Sequence, residues 1–118
     1  MVTIGRGLYA DAVHEFFEGL RTYDVARAVK VLADDVDLQS PWNDGVASGK
    51  AAVEAVLTKV LKDPVARPSL TIDDIAGDGS IVRLTVSVSN RFGERPRRYR
   101  MDVLHLKGLV HQVAFRPL

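Results

Sequence analysis

The spacing of apolar side chains divides the chain into a helical front and a strand-rich back. From Leu8 to Leu20 they recur at helical intervals (Val13, Phe16, Phe17, Leu20), with His14, Glu15 and Glu18 facing water. Arg21-Thr22-Tyr23 reads as a short connection. Asp24 can then cap a second helix carrying Val25, Ala28, Val29 and Leu32, because its carboxylate accepts from the unpaired N–H groups of a first turn. Asp34-Asp35 reads as the end of that helix, and Val36 to Gln39 alternates as a short strand. Pro41-Trp42-Asn43-Asp44-Gly45 is a turn cluster. Gly49-Lys50 leads into a third helix through Val53, Val56, Leu57, Val60 and Leu61, closed by Pro64.

Beyond Pro64 the period falls to two. Leu70, Ile72 and Ile75 mark one strand, and Gly77-Asp78-Gly79 a turn. Val82, Leu84, Val86 and Val88 then point one way, and Arg83, Thr85, Ser87 and Ser89 the other. Asn90 to Pro96 is a hairpin loop, Arg98 to Leu106 a strand, Lys107-Gly108 a turn, and Leu109 to Phe115 the last strand. Three helices followed by an antiparallel meander predict an α+β domain with its helices on one face of the sheet.

Composition narrows the reading. The 118 residues, 47% hydrophobic and 26% charged, suit one globular domain over 1–118, with residues 1–7 as a flexible leader. A formal net charge of +1 gives no whole-molecule field for nucleic acid or a membrane surface. With no cysteine, disulfides, thiol catalysis and thiolate metal sites are excluded. No apolar run approaches a membrane span, and the start has no signal-peptide pattern, so a cytoplasmic protein is expected.

Most motif matches dissolve on inspection. Gly5-Arg6-Gly7-Leu8-Tyr9-Ala10 matches the dinucleotide fingerprint in letters but lacks the strand before it and the βαβ unit around it. His14-Glu15-Phe16-Phe17-Glu18 begins like a zinc-protease helix, yet Glu18 stands where the second histidine belongs. The three histidines show no ligand spacing, so neither a metal nor another cofactor is expected. His105 reads as a surface residue and His111 as a satisfied core histidine. Arg91, Arg95, Arg97, Arg98 and Arg100 read as a solvated hairpin that discourages edge pairing, since stacking aromatics for nucleic acid are too few.

One residue resists a bland reading. Asp102 interrupts the strand Tyr99-Arg100-Met101-Asp102-Val103-Leu104-His105-Leu106, and after Asp78 the only other acid is Glu94. A carboxylate among apolar strand positions must be paired, desolvated or functional. A structural carboxylate paired to Arg100 and a chemical group facing a pocket are both consistent with the sequence.

Several strings resemble the nuclear-transport-factor-2-like superfamily, in its SnoaL-like and ketosteroid-isomerase-like branch. They are Phe16-Phe17-Glu18-Gly19-Leu20-Arg21-Thr22-Tyr23-Asp24, Leu32 through Trp42, Gly49-Lys50-Ala51-Ala52-Val53, and Tyr99 through Leu104. The resemblance covers about Ala10 to Phe115. It implies a cystatin-like cone: a strongly curved antiparallel (mixed) sheet closed by three N-terminal helices around an apolar pocket. It also implies a homodimer through the outer sheet face.

Isomerase members of this family use an aspartate base, with a tyrosine and a protonated aspartate on the oxyanion, a carboxyl kept neutral by its apolar site. Placed on this chain, the oxyanion aspartate falls on Asp102, the tyrosine on Phe16 and the base on Ser40. Phe16 has no hydroxyl, and Ser40 cannot abstract a carbon-bound proton unaided. The epoxide-hydrolase branch needs an Asp-Arg-Asp set that is absent from Thr85-Val86-Ser87-Val88-Ser89. The resemblance therefore implies a domain binding a small, largely apolar molecule. If catalytic, it would be a cofactor-free isomerase or polyketide-cyclase type with Asp102 as acid and Arg100 as its modulator. Phe16, Trp42, Val86, Leu104, Val113 and Phe115 would line the cavity, with Ser40 at its mouth. The alternative is a non-catalytic ligand-binding or dimerisation module of the same fold.

Overall fold

The computed structural model describes residues 11–64, 67–89 and 95–118. The leader, the Gly5–Ala10 motif, the first residues of the expected front helix, and Arg91 and Gly93 in the hairpin loop lie outside the described residues. Among the described residues, three helices, α1 (Asp11–Arg21), α2 (Val25–Lys30) and α3 (Lys50–Leu61), accompany six strands. The strands are β1 (Leu32–Gln39), β2 (Ala47–Ser48), β3 (Ser69–Asp78), β4 (Ile81–Ser89), β5 (Arg97–Leu106) and β6 (Leu109–Pro117). They form one sheet in the order β2-β1-β6-β5-β4-β3, antiparallel throughout except where β1 runs parallel to β6. The α+β class and the mixed sheet are as the sequence predicts. No described helix is long and apolar enough to cross a membrane.

α1 buries Ala12, Val13, Phe16, Phe17 and Leu20, the stripe its periodicity marks. Tyr23 ends the helix with a φ of 61°, and Asp24 donates its N–H to the Gly19 carbonyl at 2.8 Å. Asp24 caps α2 as expected, its side chain accepting from the Arg27 N–H at 3.1 Å. Gly19 is where α1 meets α2. A Cβ there would lie 2.6 Å from the Ala28 nitrogen and 2.7 Å from the Ala28 Cβ. The junction is also bridged by Arg27, whose Nε and Nη2 reach the two oxygens of Glu15 at 3.2 and 2.7 Å.

Two boundaries differ from the sequence reading. Leu32 lies in β1 rather than α2, and Asp34-Asp35 belong to that strand instead of ending a helix. The reason is tertiary: Leu32 pairs with Val110, and Val110 donates its N–H to the Val31 carbonyl at 2.8 Å. Between the pairs Leu32–Val110 and Asp37–Gln112, four residues of β1 face the single residue His111, a wide bulge that the sequence does not announce. β3 also runs on to Asp78, through two positions assigned to the turn.

Gly19→Ala should lower stability by about 1–3 kcal/mol, because the new methyl meets backbone rather than a yielding side chain. Thermal unfolding checks this, and an unchanged midpoint would mean the two helices can separate freely. A second expectation concerns acid. The Glu15 carboxyl is held below the usual carboxylate range, chiefly by its hydrogen bond from Arg27, against a smaller opposing desolvation. Its contribution is therefore complete above the unfolded-state value and is lost as pH falls through the lower folded-state one. Glu15→Gln should flatten the stability loss between roughly pH 5 and 3. Urea titrations on both proteins measure it; parallel curves would remove the pair from the acid response.

Candidate functional site

Strand parity and register decide which candidate residues meet. In β5, Tyr99, Met101 and Val103 are buried toward the helices, and the residues between them point to the other face. The pairs Val82–Val103, Leu84–Met101 and Val86–Tyr99 carry the same orientation into β4, and Met101–Phe115 and Val103–Val113 carry it into β6. Asp102 stands opposite Arg83 and Ala114, so it lies on the outer face together with Arg100, Leu104 and Thr85.

This corrects the expectation that Asp102 and Leu104 line the interior and that Arg100 acts there. Asp102 is half-buried among guanidinium groups instead. Its carboxylate is 3.4 Å from Arg100 Nε, 3.8 Å from Arg116 Nε and 3.9 Å from Arg83 Nε. Its Oδ1 is shut off from solvent and accepts no hydrogen bond among the described residues. Nearby, Asp73 accepts from the Ser87 hydroxyl at 2.5 Å and pairs with Arg98 at 3.5 Å.

The interior face is apolar. Phe16 and Val86 have no exposed area at all, and Val113 almost none. A side chain with no accessible surface borders no space that admits water, so Phe16 and Val86 are packed core, and Val113 is closed off nearly as completely. Phe115 meets the half-buried Trp42 edge-on, with ring centroids 5.2 Å apart, and Tyr99 edge-on at 6.1 Å. Tyr99 is 8% exposed. Phe115 is likewise buried, and the partly exposed residues packed against this core include Trp42, Ile72, Ile75 and Val88. Among the predicted liners, Trp42, Phe115 and Ser40 come together at the aromatic row.

Ser40 has become a structural residue. Its hydroxyl donates to Asn43 Oδ1 and accepts the Trp42 backbone N–H at 3.2 Å. The Asn43 amide in turn donates to the carbonyls of Leu38 at 3.1 Å and Gly45 at 3.3 Å. This closed turn fixes Trp42 over Phe115. Apart from the Tyr99 hydroxyl, Ser40 carries the one buried polar side chain among the described residues.

Sequence reasoning missed Tyr99 and Asn43, and it missed Arg83 and Arg116 as partners of Asp102. The outward orientation of Arg83 was legible in β4, but its partner depended on a register that alternation alone does not fix. His111, expected in the core, is instead part-exposed at the β1 bulge, with Nδ1 3.1 Å from Asp35 Oδ1. Among the described residues no group of three or more His, Cys, Asp or Glu side chains is arranged to hold a metal.

No curated protein matches the sequence. Among solved structures, a protein from Sinorhizobium meliloti named as a candidate polyketide cyclase shares 15% identity. It superimposes with a TM-score of 0.81 over 96% of this chain and 100% of its own. A protein of unknown function with a cystatin-like fold, from Methylobium petroleophilum, is 13% identical with a TM-score of 0.77, covering 98% of this chain and 79% of its own. A computationally designed 17-OHP binder is 16% identical, with a TM-score of 0.72 and 88% of each chain covered. At these identities the likeness is one of fold. The family model of the SnoaL-like domain matches residues 13–108, which is most of the chain, and the protein therefore belongs to the SnoaL-like domain family.

Proposed function

We propose that this domain binds a small, flat, largely apolar molecule at the Trp42–Phe115–Tyr99 end of its interior, without acid/base chemistry at that site. The observation that carries the reading is the division between the two faces of the sheet. The aromatic row occupies the inner face, while the carboxylate best suited to chemistry sits outside among arginines. Edge-on rings leave faces and edges for a planar guest, and the Tyr99 hydroxyl offers one hydrogen bond to orient it. Ser40, whose hydroxyl both donates and accepts within its own turn, is occupied. The designed 17-OHP binder supports the reading, since it shows that a protein of this fold can be a small-molecule receptor.

The chain has a single tryptophan, so Trp42 fluorescence reports directly on the site. A fused-ring steroid and anthraquinone are suitable probes, with thermal shift as the second readout. At least one probe should quench Trp42 saturably and raise the unfolding midpoint. Phe115→Ala should weaken that binding by about tenfold through loss of the ring contact. Asp102→Asn should leave it within about twofold, because the carboxylate lies on the other face. Loss of binding or of turnover in Asp102→Asn would overturn the reading, as would indifference of wild type to both probes.

A further inference from the structure

The end of the interior marked by Tyr99 carries a cation that the fold itself does not use. β5 begins with Arg97, and strand parity puts it on the same face as Tyr99, Met101 and Val103. The register agrees, because Arg97 stands opposite Val88, which is half-buried against the core. Val88 pairs in turn with Leu70, and Tyr99 pairs with Val86, whose other neighbour is Ile72. Arg97 is therefore an exposed residue at the end of an apolar inner surface, two positions and roughly 7 Å of strand away from Tyr99. The next arginines of β5 are placed differently. Arg98 and Arg100 belong to the outer face and have acids there, Asp73 at 3.5 Å and Asp102 at 3.4 Å. Among the described residues no carboxylate lies within ion-pair distance of Arg97. Its fork of donors, which matches a carboxylate through two parallel hydrogen bonds, is uncommitted.

From this juxtaposition we infer that the molecule bound at the Trp42–Phe115–Tyr99 row is a planar aromatic acid, its rings against the aromatic row and its carboxylate on Arg97 at the rim. The inference rests on the interior-binding reading above and narrows it to a class of ligand. A guest with one apolar end and one anionic end suits both surfaces. Its rings cover the partly exposed Trp42, Ile72 and Val88, and its carboxylate stays at the exposed edge, where little hydration is lost. A neutral guest of the same shape leaves the guanidinium unmatched. A cationic guest is disfavoured, since it would set like charges together at the rim.

Trp42 fluorescence titration of the full chain with anthraquinone-2-carboxylate and anthraquinone-2-carboxamide tests this. The two probes share a ring system and differ in charge at about pH 7, where a carboxylic acid is ionised. In wild type the carboxylate should bind about fivefold more tightly than the carboxamide at an ionic strength of about 0.01 M, and that advantage should largely vanish at about 1 M. Arg97→Gln should abolish the preference, weakening the carboxylate about fivefold and leaving the carboxamide within about twofold. Arg98→Gln makes the same charge change on the outer face and should leave both affinities within about twofold. Equal binding of the two probes to wild type would overturn the inference while leaving the interior site in place. So would a preference that survives Arg97→Gln, or one lost equally in Arg98→Gln. Failure of both probes to quench Trp42 would instead overturn the interior reading, and this inference with it.

Discussion

The register of three central strands is the constraint on which everything else rests. Val82, Val103 and Val113 form one cross-strand row on the inner face, and Leu84, Met101 and Phe115 the next. Each row is buried against the helices, so the pairing cannot slip by one residue without turning a set of valines, leucines and aromatics into water. The same rigidity fixes the outer rows, Arg83-Asp102-Ala114 and Thr85-Arg100-Arg116. The position of Asp102 is therefore a consequence of apolar burial on the opposite side, whatever its own chemistry. An inward Asp102 would face an apolar layer and lose its arginines, a desolvation cost of several kcal/mol.

The helical layer meets this sheet through equally specific devices. Gly19 permits an approach between α1 and α2 that no side chain tolerates, and Asp24 and the Glu15–Arg27 pair fix the angle at which α2 leaves. At the far end of the interior, Ser40 and Asn43 use their hydrogen-bonding capacity on the turn that carries Trp42. A polar residue at the edge of an apolar core is readily taken for a reactive one. Here its satisfied partners identify it as a clamp for an aromatic ring.

Much of the fold was legible in the sequence. Helical spacing located the buried stripe of α1, the Asp24 cap and the core residues of α3, and alternation in β4 separated Val82, Leu84 and Val86 from Arg83 and Thr85. The start of β1 was not legible, because Leu32 serves a helical stripe and a buried strand equally well. Its fate was decided by Val110, more than 70 residues away. Asp102 illustrates a different loss. In β5 both alternating sets contain apolar residues, Met101 and Val103 in one and Leu104 in the other, so the pattern does not say which face is buried. The resemblance chose the inward face for Asp102, while the alternation of β4 set Arg83 and Thr85 opposite the apolar row of Val82, Leu84 and Val86. Joining those two facts required the pairing of Arg83 with Asp102.

A family resemblance transfers positions along a chain more securely than it transfers directions in space. Asp102 occupies the strand that the family comparison assigned to it, yet a side chain one residue out of phase faces a different solvent and different partners. In this protein the shift separates two properties that an acid/base enzyme needs in one place. Apolar shape is on the inner face, at Trp42, Phe115 and Tyr99, and concentrated charge is on the outer face, around Asp102. A sheet a single residue thick can keep the two apart because successive side chains alternate between its faces. Each face can then carry its own side-chain chemistry, and neither constrains the composition of the other.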